Sequence, residues 1–181
     1  CGFNIFANQD YMSRIRGGVN AFDIRISDAE LHSPRETADL IVALTPEALE
    51  GYRGTLAPGG AIHVPTAEIA KQAGGTAQMV NSVAAGAVMA ILRYDVGNLT
   101  DLLRRKFAGK AGGIAETNVA CAEKGAAAAE GRLPAPPPSG KRAGKLAGGS
   151  EAIALAAATA GVKVVSCYPM TPSTGIFTAL A

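Results

Sequence analysis

The stretch ADLIVALTPEALEGYRGTLAPGGAIHVP (residues 38–65) runs from one apolar segment through a helix start to a second apolar segment. Residues 38–45 are an apolar run of the kind a strand shows when a parallel sheet buries both its faces. Thr45-Pro46-Glu47 then supplies an N-cap, a proline at the first helical position and an acidic first turn. The helix ends at a turn expected over APGG, residues 57–60, and residues 61–65 form a second short buried strand. A strand, a helix and a second strand in this spacing predict a parallel sheet with helices on its faces.

The same alternation extends to both sides. AFDIRIS (residues 21–27) alternates apolar with polar residues and reads as a strand exposed on one face. Residues 66–75 form a short helix closed by Gly74-Gly75, and TAQMV (residues 76–80) reads as a third strand. Asn81 and Ser82 are expected to cap the helix VAAGAVMAILRY (residues 83–94). That helix is apolar all round from Val83 to Leu92, which calls for burial inside the domain or in a subunit interface. Two further helices follow, at residues 98–110 and 116–132. LPAPPPSGKRAGKLAGG (residues 133–149) has too little apolar content to bury a core and reads as an extended linker. The expected domains are therefore residues 1–132 and residues 150–181, joined by a linker over 133–149. In the second, a helix from Ser150 and Glu151 precedes a strand VKVVSCY (residues 162–168), a loop and another helix.

Composition narrows the class. Of 181 residues, 48 % are hydrophobic and 5 % aromatic, with no Trp, so Ala and Gly must do most of the close packing. The net charge of +2 is too small to argue for nucleic acid, and Arg104-Arg105-Lys106 and Lys141-Arg142 read as solvated faces. Cys1, Cys121 and Cys167 are widely spaced without any C-x-x-C, which predicts a reducing, cytoplasmic setting and no iron–sulfur cluster held by these residues alone. The longest apolar stretch, residues 82–92, is about half of the roughly 20 residues that span a bilayer, so no membrane segment is expected. The start at Cys1 and the end at Ala181 read as cuts through elements, and a fragment is expected. His32 and His63 lack partners at ligand spacing and read as structural. Cys167, after an apolar strand, reads as a small buried side chain rather than a nucleophile.

The chemistry concentrates in YPMTPST (residues 168–174), within a stretch free of charge from Val164 to Ala181. Thr171 fits an N-cap and Pro172 a first helical position, which would leave the backbone N–H groups of Ser173 and Thr174 free for a small anion. A strand–helix turn that uses its hydroxyls only for capping accounts for the same residues.

GGSEAIALAAATAGVKVVSCYPMTPST (residues 148–174) resembles the start of the α-subunit catalytic domain of 2-oxoacid:ferredoxin oxidoreductases. There a glycine-led helix precedes a strand ending in Y-P-I-T-P-S-[ST], and the departure here is Met170. DYMSRIRGGVNAFDIRIS (residues 10–27) is similar to the γ domain of the same family, with Y-x-x-x-x-R-G-G before an R-[IV]-S strand. LAPGGAI, NSVAAGAV and ETNVACAEKG continue in the family's order.

The resemblance implies a Rossmann-like γ domain, truncated at its start, followed by the opening of a thiamine-diphosphate-binding, pyrimidine-type α/β domain. It implies oxidative decarboxylation of a 2-oxoacid to an acyl-CoA with reduction of ferredoxin, and the γ-before-α order leans towards 2-oxoglutarate. It further implies thiamine diphosphate with magnesium and an iron–sulfur cluster carried mostly by a partner β subunit, with coenzyme A as co-substrate. Thr171 would contact the substrate carboxylate, within an active-site loop of Tyr168, Pro169, Met170, Pro172, Ser173 and Thr174. The glutamate that activates the thiamine ring in the family would lie beyond Ala181, and Glu151 reads as a capping residue. Arg16-Gly17-Gly18 admits either a close approach to a phosphate or partner subunit, or a tight turn into the strand at Ala21. A non-catalytic γ-type assembly or regulatory module stands as the alternative, as does the same reaction on pyruvate, branched-chain or indolepyruvate substrates.

Overall fold

The computed structural model describes residues 2–12, 17–130, 133–134, 140, 144, 147–168, 170–171 and 173–181. The chain divides into two units, Phe3–Ser139 and Gly140–Ala181, the second also taking in Cys1–Gly2. The class is mixed α/β, as expected.

The larger unit opens with β1 (Asn4–Asp10) and β2 (Ala21–Ser27), paired antiparallel with Ile5 opposite Ile26, Ala7 opposite Ile24 and Gln9 opposite Phe22. Those pairs share one face of the pleat, and Ile5, Phe22, Ile24 and Ile26 are exposed on it.

A parallel pair follows, β3 (Ala38–Val42) and β4 (Leu56–His63), connected through helix α1 (Pro46–Tyr52) and a single 3-10 turn at Arg53–Thr55. The local signals act as read: Thr45 Oγ1 accepts the Ala48 N–H at 3.2 Å and Pro46 opens the helix. The expected turn over residues 57–60 does not form. Those residues lie inside β4, where the register slips between Ala38 opposite Leu56 and Leu40 opposite Ala61. Gly59 takes a φ of +78° to make the slip, and a side chain on Gly60 would meet the Asp39 and Ala57 carbonyl oxygens at 2.9 Å. Pro58-Gly59-Gly60 is thus a bulge in a strand rather than the end of a helix.

The expected strand at residues 76–80 is also absent. After α2 (Ala67–Gln72), capped by Thr66, the chain makes a 3-10 turn at Ala77–Met79 and enters α3 (Val80–Ile91) directly. Met79 and Val80 are consumed in packing on Ala70, Val83 and Cys121, which leaves no extended length for a ladder. Asn81 and Ser82 consequently sit within the first turn of α3 and do not cap it.

Two helices complete the unit, α4 (Val96–Phe107) and α5 (Ile114–Ala128). The apolar helix α3 is buried inside this unit. Ala87 and Ile91 pack with Leu40 and Ala61 of the parallel pair, and Val83 packs on Ala70 and Cys121. No second subunit is needed to explain its composition. Gly86 and Gly125 let α3 and α5 touch backbone to backbone: a Cβ on Gly86 would run into the Ala122 carbonyl, and one on Gly125 into that of Val83. Ser82 Oγ donates to Asn118 Oδ1 at 2.6 Å across the same seam. On the outside, Arg104 of α4 pairs with Glu116 of α5 at 3.1 Å, so part of the Arg104–Lys106 knot is spent on a solvated ion pair.

The smaller unit contains α6 (Gly149–Thr159) and α7 (Thr174–Leu180). Glu151 caps α6 as read, its Oε2 accepting the Gly148 N–H at 2.9 Å. Residues 162–168, expected as a strand, form no ladder with any described residue. A strand exists by pairing, and here Val164 remains 84 % and Tyr168 76 % exposed. Cys167 is accordingly exposed, not buried as its apolar neighbours suggested.

Candidate functional site

The loop after residue 168 bonds to itself. The Met170 N–H donates to the Tyr168 carbonyl at 2.8 Å. The Met170 carbonyl then collects the Ser173 N–H at 2.9 Å, the Thr174 N–H at 3.3 Å and the Ser173 hydroxyl at 2.6 Å. The Ser173 hydroxyl also lies 3.3 Å from the Tyr168 carbonyl. The cap of α7 is Ser173 rather than Thr171, and the Ser173 and Thr174 amides that were expected to be free are both engaged by Met170. A cradle of two open N–H groups is therefore not what this loop offers.

It offers Thr171 instead. Thr171 is exposed, and its hydroxyl bonds to no described residue. The Ser173 hydroxyl is spent on backbone carbonyls, so the uncommitted threonine hydroxyls of the turn are those of Thr171 and the exposed Thr174, and Thr171 is the one at the position the resemblance assigns to the substrate contact. Tyr168 and Met170, which flank it, are exposed as well. Pro169 and Pro172 lie outside the described residues. With no charged side chain from Val164 to Ala181, a neutral hydroxyl beside exposed apolar surface suits a small acid that brings its own charge.

The glycine pair of the larger unit has a local explanation. Gly17 and Gly18 have φ values of +70° and +138°, and a side chain on Gly18 would meet Met12 Cγ at 2.6 Å. Both glycines hold backbone conformations that favour glycine on the approach to β2 at Ala21. Arg16 lies outside the described residues. Gly18 and Asn20 also border an open cleft of about 810 Å³, whose wall continues through Asp23, Thr45, Glu47 and Tyr52. Burial, with the Asp10 and Asp23 carboxylates adding to it, holds the Tyr52 hydroxyl above its ordinary pKa. The carboxylates of Asp23 and Glu47 in that wall oppose an anionic phosphate.

Cys121 is buried with its thiol 3.8 Å from the Ala70 carbonyl, and burial raises its pKa. His63 ends β4 with Nε2 buried and unbonded, and burial lowers its pKa. His32 is exposed. Among the described residues no group of three or more His, Cys, Asp or Glu side chains could hold a metal ion. Nor is any described helix long and apolar enough to cross a membrane.

The model of the family described as pyruvate ferredoxin/flavodoxin oxidoreductase matches residues 1–64 and 61–128. The chain belongs to that family. No curated protein matches it. Among solved structures, it is similar to "2-oxoglutarate:ferredoxin oxidoreductase from Magnetococcus marinus with 2-oxoglutarate, coenzyme A and succinyl-CoA bound", with a TM-score of 0.82 and 23 % identity over 99 % of this chain. At that identity the likeness shows a shared fold, and this chain spans 36 % of that one. The family's matched region contains the α3–α5 seam, so NSVAAGAV and ETNVACAEKG, quoted above as motifs, meet in space as a helix crossing. Reading them as separate stretches missed that contact. Small residues spaced four apart in both helices were the available clue.

Proposed function

We propose that this chain is part of an enzyme that oxidatively decarboxylates a 2-oxoacid to its acyl-CoA and passes the electrons to ferredoxin. The substrate we favour is 2-oxoglutarate, which the Magnetococcus marinus enzyme holds together with coenzyme A and succinyl-CoA. The observation that carries the reading is Thr171, an uncommitted hydroxyl in a YPMTPST turn, on a chain whose larger unit belongs to the family. In this reading residues 1–132 form the γ-type domain, 133–149 the linker and 150–181 the opening of the catalytic domain.

Thiamine diphosphate with magnesium and an iron–sulfur cluster supply the decarboxylation and electron-transfer chemistry in such enzymes. Among the described residues no group of three or more His, Cys, Asp or Glu side chains assembles a metal-ligand set. We assign both mostly to a partner β subunit, as the family resemblance implies. The contribution of this chain is to bind and orient the substrate. Thr171 Oγ1 donates a hydrogen bond to the 2-oxoacid carboxylate, and Tyr168 and Met170 shield that end of the substrate from water. A charge-assisted hydrogen bond of this kind contributes about 1.5–3 kcal/mol.

The test is Thr171→Ala in the protein expressed from its native coding region with its partner subunit. A rise of about tenfold or more in the KM for the 2-oxoacid, with the KM for coenzyme A unchanged, is expected. Unchanged constants would remove Thr171 from the site.

A further inference from the structure

We propose that Ser173 is the positioning residue that sets the direction of the Thr171 hydroxyl, an inference that rests on the Thr171 reading above. Ser173 Oγ donates to the Met170 carbonyl at 2.6 Å and lies 3.3 Å from that of Tyr168. One side chain thus ties together the carbonyls of the residue before Thr171 and of the residue that begins the turn. Thr171 sits between the anchor and its two attachment points, so its backbone direction follows from that clamp.

The donor inventory identifies which of the two residues binds and which positions. The Ser173 hydroxyl has one proton, and the Met170 and Tyr168 carbonyls share it, Met170 by the shorter bond. It has none to spare for a substrate carboxylate, which accepts but cannot donate when ionised. The Thr171 hydroxyl has its proton free of any described partner. The Met170 carbonyl keeps the Ser173 N–H at 2.9 Å when the hydroxyl is removed, so the turn loosens without losing its fold. Substrate affinity should therefore fall while the chain stays folded.

The experiment is a double-mutant cycle in the protein expressed from its native coding region with its partner subunit, comparing Thr171→Ala, Ser173→Ala and the double variant. Ser173→Ala is expected to raise the KM for the 2-oxoacid about three- to tenfold, the size of one neutral hydrogen bond, with the KM for coenzyme A unchanged. In a Thr171→Ala background the same change should have no further effect, because the hydroxyl it positions is gone. Ser173→Thr, which keeps the hydroxyl, should restore the wild-type constant. If Thr171→Ala raises the KM and Ser173→Ala adds its effect independently or has none, the positioning role is wrong while the Thr171 contact stands. If Thr171→Ala itself does nothing, the contact fails and the positioning role falls with it.

Discussion

The Ser82 hydroxyl and the Asn118 side-chain oxygen meet at 2.6 Å in the buried seam between α3 and α5. The Asn118 amide nitrogen donates in turn to the Ile114 carbonyl at 2.8 Å, so both ends of that side chain are committed. Asn118→Ala strands the Ser82 hydroxyl in an apolar interior and should destabilise the protein by about 1–3 kcal/mol. Urea titration of both proteins checks this, and an unchanged midpoint would mean that the seam is not closed in solution.

Gly86 and Gly125 carry the backbone contact between the same helices. Exchanging a helical Gly for Ala ordinarily stabilises by about 1 kcal/mol. At Gly86 the added methyl collides with the Ala122 carbonyl, and relieving that overlap should cost about 1–3 kcal/mol or more. Gly51 in α1 has open space around it, so Gly51→Ala is the internal control and should gain stability. Thermal melts showing the same sign for both substitutions would contradict the close crossing.

Arg93 follows the last residues of α3 in the left-handed region, at φ +59°, with its N–H donating to the Ala90 carbonyl. This is where a helix favours glycine. Arg93→Gly should raise the unfolding free energy by about 0.5–1 kcal/mol. A loss of stability would show that the arginine side chain stabilises the fold by more than its backbone strain costs.

His63 makes stability depend on pH. Its folded-state pKa lies below the ordinary 6.5, because burial disfavours the imidazolium. The unfolded chain therefore binds more protons in that window, and stability rises with pH. The contribution is fully present above about 6.5 and is lost as pH falls through the folded value. Unfolding titrations of wild type and His63→Phe between pH 8 and 5 should diverge, with the variant flatter. Parallel curves would mean that the imidazole is charged or solvated in the folded protein.

The boundaries that were legible in the sequence depend on neighbouring residues alone. Thr45-Pro46-Glu47 begins α1 as its cap chemistry dictates, and Glu151 closes the start of α6. Elements decided by distant partners were not. Asn4–Asp10 carries four polar residues in its seven and gives no strand pattern, yet it pairs with Ala21–Ser27. Residues 76–80 are short and partly apolar, which suits a strand or a helix start, and packing on Cys121 selects the helix start. At the candidate site the residue types were legible but the role of each was not. Whether Ser173 or Thr171 spends its hydroxyl on backbone carbonyls depends on how the turn brings the Met170 and Tyr168 carbonyls together, and no residue spacing encodes that.

The most direct test of the account is 2-oxoacid-dependent reduction of ferredoxin or a viologen dye by the protein expressed from its native coding region with its partner subunit. Reduction should require coenzyme A, yield the acyl-CoA, and be supported best by 2-oxoglutarate among 2-oxoglutarate, pyruvate, branched-chain 2-oxoacids and indolepyruvate. Preference for another 2-oxoacid would overturn the substrate choice. No reduction with any of them, from an assembled complex loaded with thiamine diphosphate and its iron–sulfur cluster, would contradict the proposed function.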